Sequence, residues 1–171
     1  MGKRIKPLEP PDSLHLNAAE GWLELGNRVE AYEELEQITP ELRAHPDVLE
    51  VRWQIYAEEK KWDTCVDIAR AIIKLDRSRP IGWIHLAYST RRATKGGLEA
   101  ARTILSGAAD KFPKDPIIPY NLACYACQLG NLKEARRWLE KAFALGDSKQ
   151  IKRVALEDPD LEPIWKELGT I

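Results

Sequence analysis

The sequence predicts an all-α fold, built as an array of antiparallel helix pairs. The clearest pair lies in residues 120–145, where small and apolar side chains recur every three or four residues on either side of a break at Gly130. Glycine most easily adopts the left-handed conformation that ends a helix, so the break separates two helices. Each helix is apolar on one face only, and a single pair of this size needs neighbours that cover that face.

The rest of the chain supplies these neighbours, because the pattern recurs with a period close to 34 residues. The small residue at the predicted crossing of the two helices recurs with separations of 34, 36 and 34 residues, at Ala31, Cys65, Ala101 and Ala135. The prolines that begin the later pairs repeat two of these steps, 34 and 36, at Pro46, Pro80 and Pro116. The two markers agree, and they predict that the extra residues of the third pair lie near the turn at 91–97.

These markers divide the chain into a lead-in, four helix pairs and a tail. The lead-in, residues 1–11, combines prolines with basic residues and is predicted to be flexible. The four helix pairs are predicted at 12–45, 46–79, 80–115 and 116–147. Residues 148–171 depart from the pattern and predict capping helices, because an array otherwise exposes its last apolar face.

The repeated unit resembles the tetratricopeptide repeat, a helix-turn-helix unit of about 34 residues. The fourth pair carries the best match, with the family's small and apolar positions and its turn at Asn121-Leu122-Ala123, Gly130-Asn131, Glu134-Ala135, Leu139 and Ala142. The tail sequence ALEDPDLEPIWKEL resembles the ending of many bacterial members. The resemblance implies a right-handed superhelical array in which the first helices of successive pairs line a concave groove.

Composition and charge exclude several function classes. Charged residues make up 31% of the chain and hydrophobic residues 44%, with a net charge of -1, so no strong attraction to nucleic acid or to a membrane is expected. No apolar run is long enough for a membrane span or a secretory signal. Three cysteines without a dense spacing framework point to a reducing compartment, and a cytoplasmic location is expected.

The sequence contains no convincing catalytic constellation. Cys124 and Cys127 have the spacing of a redox pair, but they lie within a predicted helix, where two small packed residues are the plainer interpretation. The three histidines, His15, His45 and His85, are scattered over different pairs without the spacing of a metal site. We therefore expect no enzyme activity, no cofactor and no bound metal.

Function is expected on the inner face of the first helices, where the family resemblance places the groove. The groove residues run from acidic in the first pairs to aromatic and basic in the later ones. The predicted partner-binding set is Asn17, Glu50, Gln54, Ile84, His85, Tyr88, Arg91, Arg92, Tyr120, Asn121, Cys124 and Gln128.

Within this set, the tyrosines and arginines suggest how a ligand is held. Tyr88 and Tyr120 are candidate anchors, and Arg91 or Arg92 is a candidate to bind a carboxylate, although the pair could equally solvate a turn. The lysine, asparagine and arginine clamp with which co-chaperone members of the family bind acidic tails is absent, since Leu16 and Val51 stand among its positions.

The leading functional hypothesis is a non-enzymatic interaction module that binds a peptide or helix of a partner protein in the groove. One alternative is a secretion-type chaperone that wraps a partly unfolded client. Another is a scaffold that assembles through its end faces. A monomer or a weak homodimer is expected.

Overall fold

A computed structural model describes residues 5–168, and within that range every regular element is helical. The all-α prediction is confirmed for this part of the chain. In residues 5–168, ten α-helices follow one another, with 3₁₀ helices at Pro40–Leu42 and Pro159–Ile164. The α-helices are α1 (Asp12–Glu24), α2 (Arg28–Gln37), α3 (Pro46–Glu58), α4 (Trp62–Leu75), α5 (Pro80–Thr90), α6 (Leu98–Ala109), α7 (Ile117–Gln128), α8 (Leu132–Leu145), α9 (Ser148–Ala155) and α10 (Trp165–Leu168).

The chain forms two compact units that divide between Ser89 and Thr90. In the first unit α1 packs on α2 and α3 packs on α4, while α2 and α1 also contact α3. In the second unit α6 packs on α7, α7 on α8, and α8 on α9. The predicted third pair is thus split, since α5 falls almost wholly in the first unit and α6 in the second. The predicted domain boundaries stay a prediction.

The small residues predicted at the helix crossings are all completely buried. Ala31, Cys65, Ala101 and Ala135 each have 0% exposure. Small side chains let two helices approach closely, and the surrounding positions then interlock as in other close-packed cores. The burial predicted for these four small residues is therefore confirmed, whereas the four helix pairs stay a prediction.

The first unit contains two apolar clusters. One joins α1, α2 and α3 through completely buried Ala19, Leu35 and Val48. The other joins α3 and α4 around Trp53, with Cys65 and Ile72 fully enclosed. Leu16 and Val51 also belong to the first cluster, although the sequence places both on the groove face.

The turns inside three helix pairs share one backbone geometry. Gly26 and Gly130 have positive φ angles of 74° and 79°, and Lys60, where the second pair has no glycine, also has a positive φ of 57°. The next residue in each turn closes it with a bond to a carbonyl five residues earlier, as when the Lys61 N–H donates to the Tyr56 carbonyl at 2.9 Å. The second turn therefore takes the left-handed conformation despite the cost to a side chain.

The lead-in contacts the first unit through its second half. Leu8 packs against the cluster of α1, α2 and α3, and the His45 ring nitrogen Nε2 lies 2.9 Å from the Lys6 carbonyl oxygen. Asp12 begins α1, but its carboxylate accepts a bond from the Thr39 N–H at 2.6 Å instead of capping its own helix. The flexibility predicted for residues 1–11 stays a prediction, and residues 1–4 lie outside the described range.

The turn between α5 and α6 is the irregular one. It runs from residue 91 to residue 97, whereas the other three pairs have turns of three residues. This is where the period predicted the extra residues. Gly96 fits here because an added Cβ would lie 1.8 Å from the Thr90 carbonyl oxygen, closer than any side chain allows.

The tail folds back on the last helix pair. Leu161, Ile164 and Leu168 are buried, and the Trp165 indole N–H donates to the Ala155 carbonyl at 2.8 Å. The capping role predicted for 148–171 stays a prediction, and residues 169–171 lie outside the described range.

The segment Pro159–Ile164 is a 3₁₀ helix, and Pro163 within it lacks the N–H group of a regular α-helical ladder. On α9, Ala155 is fully buried, whereas Val154 is 46% exposed. No described helix is long and apolar enough to cross a bilayer.

Candidate functional site

The predicted partner-binding residues differ widely in exposure. Asn17, Gln54 and Gln128 are exposed, whereas Ile84, His85 and Cys124 are buried. Six others are half-buried, namely Glu50, Tyr88, Arg91, Arg92, Tyr120 and Asn121. In the first unit the solvent-facing members are therefore on α1 and α3. Their assignment to a partner site stays a prediction.

His85 belongs to the interior of the first unit. Its ring stacks on the Trp53 indole with ring centroids 3.7 Å apart and planes 8° apart, and Tyr88 meets Trp53 edge-on at 5.9 Å. The Nε2 atom of His85 has no hydrogen-bond partner among the described residues. Burial lowers the pKa of His85 to about 4, because the charged imidazolium would lose its water. His85 is therefore a neutral packing residue at pH 7.

Glu50 is the acidic member of the set in the first unit. Burial raises the pKa of its carboxyl group, and the nearby carboxylates of Asp47 and Glu20 raise it further, while the Arg79 guanidinium opposes them. Arg79 itself forms an ion pair with Asp47. This end of α3 is thus acidic but partly neutralised by Arg79.

In the second unit, Arg91 binds a carboxylate of its own chain. Both of its terminal nitrogens donate to Asp160, and the Nη2 to Oδ1 distance is 2.8 Å. The guanidinium also lies 5.8 Å from the centre of the Tyr125 ring, within cation–π range. Arg91 therefore does not merely solvate the turn, since a bidentate pair is the strongest hydrogen-bonded arrangement available to arginine.

Two residues on one face of α7 bind the same acidic turn, residues 158–160. The Tyr120 hydroxyl donates to the Asp158 Oδ2 at 2.8 Å, and the Gln128 side-chain amide donates to the Asp160 backbone carbonyl at 3.0 Å. Burial raises the pKa of Tyr120, and the bond to Asp158 raises it further, so the phenol remains a donor at neutral pH. Tyr120 and Gln128 thus contact both a side chain and the main chain of one short segment.

Asn121, the remaining α7 member, is turned toward its own helix. Its side-chain amide donates to the Ile117 carbonyl at 2.9 Å. A backbone bond to the residue four positions earlier is a common arrangement for a short polar side chain within a helix. Asn121 therefore does not take part in the contacts with Asp158 and Asp160 that Tyr120 and Gln128 make.

Cys124 lies between Tyr120 and Gln128 under the acidic turn. Its Sγ is 3.5 Å from the Asp158 Oδ2, and its side chain is 3% exposed. Burial raises its pKa, and the charges of Asp158 and Asp160 raise it further. A thiol in such surroundings stays protonated and is a poor nucleophile.

The ligand-type atoms of Cys124, Asp158 and Asp160 lie within 4.8 Å of one another. These three side chains are nevertheless a poor binding site for a metal cation. A thiol must lose its proton to bind a metal, and both oxygens of Asp160 already accept bonds from the Arg91 guanidinium. The donor set therefore fits a hydrogen-bonded ion pair better than a divalent ion.

The cysteine spacing does not produce a redox pair in this structure. Cys65, Cys124 and Cys127 are free and buried. Burial raises the pKa of Cys127 and raises that of Cys65 to about 11, the reverse of what a reactive thiol requires. The interpretation of Cys124 and Cys127 as packed residues agrees with this environment.

Asp158 and Asp160 are functional candidates that the sequence reasoning missed. On sequence alone the motif Asp158-Pro159-Asp160 indicates a helix breaker and nothing more. In the structure the Asp158 carboxylate accepts from the Asp160 N–H at 3.0 Å and so starts the 3₁₀ helix, while both side chains face Arg91 and α7. One feature of the sequence could have identified them. Arg91 was a candidate to bind a carboxylate, and Asp158 and Asp160 offer two carboxylates close together in the tail.

Comparisons with known proteins identify the fold. No model of a protein family matches the sequence, and no curated protein matches it significantly. TTC0263, a thermophilic TPR protein of Thermus thermophilus, superimposes with a TM-score of 0.75 at 18% identity, covering 92% of this chain and 83% of that one. The MamA protein superimposes with a TM-score of 0.65 at 12% identity, covering 93% and 86%.

A third similar structure is PcrH in complex with the chaperone binding region of PopB. It gives a TM-score of 0.52 at 21% identity, covering 73% of this chain and 92% of that one. At such identities a structural likeness establishes the fold and leaves the partner open. Together with the period near 34 residues and the buried crossing positions, these structures show that the chain has the fold of a tetratricopeptide repeat protein.

Proposed function

We propose that this protein is a non-enzymatic interaction module that binds a segment of a partner protein on the inner face of its first helices. The observation that carries the proposal is the set of contacts on α7. There, an aromatic hydroxyl, an amide and a nearby guanidinium already hold a short peptide turn, through its side chains and its main chain.

The chemistry of this face suits peptide recognition. Gln128 is exposed and donates to a backbone carbonyl, which every peptide offers whatever its sequence. Tyr120 and Arg91 add selectivity, because they bind carboxylates in a defined position. Tyrosine and arginine are also the residues that most often dominate binding energy at interfaces.

The first unit offers solvent-facing polar groups for the same purpose. Asn17 on α1 and Gln54 on α3 are exposed and can form hydrogen bonds with a bound segment. A photo-cross-linking amino acid at position 54 therefore tests the proposal in the native cell. We expect it to capture one or a few defined polypeptides.

The matched control is the same amino acid at position 70. Arg70 is an exposed residue of α4, a second helix, and its exposed pair with Asp67 contributes little stability. Equal capture at positions 54 and 70 would show only nonspecific encounters. Absence of any defined product at position 54 and at position 17 would refute the proposed inner-face function.

A chaperone for a partly unfolded client is the second candidate. The likeness to PcrH, which was solved with the chaperone binding region of PopB, favours it, since this chain covers 92% of that protein. A chaperone and an adaptor differ in whether the partner protein stays soluble when it is expressed without them. Expression of the captured polypeptide with and without this protein distinguishes them, because only a client becomes insoluble without its chaperone.

A further inference from the structure

The inner face of α7 is already occupied by a segment of the same chain. The acidic turn, defined here as residues 158–160, is held by Arg91, Tyr120 and Gln128. The two carboxylates belong to residues two apart, and each is bound by a different donor. The donors therefore select a spacing of charges as well as a charge.

We propose that the inner face of α7 is a binding site for an acidic segment with carboxylates two residues apart, and that the acidic turn occupies this site until a partner segment of the same chemistry displaces it. The inference rests on the proposed function and names the class of partner for the second unit. The partner segment is that of a separate protein.

The contacts of the acidic turn are those of a ligand and exceed what covering an apolar face requires. The covering is done by Leu161, Ile164 and Leu168, which are buried, and the last two lie beside Leu139 and Phe143 of α8. Asp158 and Asp160 contribute nothing apolar. They are half-buried. The Asp158 carboxylate accepts from Tyr120 of α7, and the Asp160 carboxylate accepts from Arg91 of the turn between α5 and α6.

Release of the acidic turn does not require any helix pair to unfold. The polar contacts of residues 158–160 are separate from the apolar contacts of Leu161 and Ile164, so the acidic turn can leave its donors while these two side chains stay buried. Such local openings cost less free energy than unfolding of the core. An external acidic segment therefore competes with a tethered one for the same donors, and its apparent affinity depends on how often the site is open.

The test uses the full chain and a labelled peptide that copies residues 156–168. A second peptide has asparagine in place of both aspartates. The chain is compared with its Asp158→Asn, Asp160→Asn variant, in which the side-chain amide oxygen at position 158 can still accept the bond that starts the 3₁₀ helix. We expect the acidic peptide to bind the variant at least about tenfold more tightly than the wild-type chain, measured by fluorescence anisotropy.

Two further results are expected from the same reasoning. The asparagine peptide should bind both chains more weakly than the acidic peptide binds the variant. Arg91→Gln in the variant chain should abolish the tenfold gain in affinity for the acidic peptide. Alkylation of Cys124, in a Cys65→Ala, Cys127→Ala background, gives an independent measurement. The thiol lies under Asp158, so it should react faster in the variant, and the acidic peptide should restore its protection.

Equal binding of the two peptides would show that the apolar side chains alone dock the tail, and would overturn the inference. Equal affinity for the two chains would do the same. If the wild-type chain forms a dimer and the acidic peptide dissociates it, the occupant of the site is a second copy of this chain. That result would overturn the inference that the partner is a separate protein. If the double variant loses helical circular dichroism, Asp160→Asn alone replaces it. Specific capture at position 54 with no acidic binding would leave the proposed function intact and refute only this inference.

Discussion

Acidification should destabilise the first unit through His85. The ring is 8% exposed and stacked on Trp53, and burial holds its pKa at about 4, well below the ordinary 6.5. Between these two pH values the unfolded chain binds a proton at this site and the folded chain does not. Stability therefore falls as the pH drops from 6.5 to 4, and it is unaffected by this residue above that window.

The size of the effect follows from the two pKa values. Each pH unit within the window is worth about 1.4 kcal/mol, so the full loss is about 3 kcal/mol, of which about 2 kcal/mol is lost by pH 5. Carboxylates titrate over part of the same range. A His85→Gln variant keeps them and removes only the imidazole, so the difference between the two proteins isolates the effect.

The assay is urea unfolding at pH 7, 6 and 5, followed by circular dichroism for both proteins. The stability advantage of the wild type over His85→Gln should shrink by about 2 kcal/mol between pH 7 and pH 5. NMR titration of the His85 ring protons gives the folded pKa directly. A difference that is constant with pH, or a titration midpoint near 6.5, would refute the argument from burial.

Three further predictions concern the turns and crossings, and each is measured by urea unfolding. Gly96→Ala should lower the free energy of unfolding by at least about 2 kcal/mol, because its Cβ would lie 1.8 Å from the Thr90 carbonyl oxygen. Gly107→Ala is the control: a Cβ there has no neighbour within 4 Å, and the change should raise the free energy of unfolding by about 1 kcal/mol. Lys60→Gly should gain about 1 kcal/mol by relieving the left-handed side chain at φ 57°. Ala135→Trp should cost about 3 kcal/mol or more, because the crossing is fully buried; an unchanged midpoint would contradict the assigned register.

The parts of the fold that repeat were predictable from the sequence. A helix crossing demands a small residue in every copy, so Ala31, Cys65, Ala101 and Ala135 appear at a regular period and all prove buried. The extra length of the third turn was predictable for the same reason, since a constant period exposes any insertion. Periodicity reports constraints that each copy must satisfy.

Features that occur once were not predictable in this way. Arg91 and Asp160 are 69 residues apart, and Asp160 lies in the tail, outside the four repeated pairs. Burial of His85 depends on the ring of Trp53 from another helix, so a list of groove-facing positions could not identify it as a packed residue. Long-range polar contacts are specified by the packed fold and leave no local pattern along the chain.

The two sets of contacts in the tail have different physical roles. Burial of Leu161, Ile164 and Leu168 contributes the free energy that keeps the tail on the array. The pair between Arg91 and Asp160 gains attraction but loses hydration, so its net contribution to stability is expected to be small while its geometric demand is high. A tail that served only as a cover would need the first set alone. The second set fixes which chemistry sits against α7, and the same donors would recognise that chemistry in a segment from another protein.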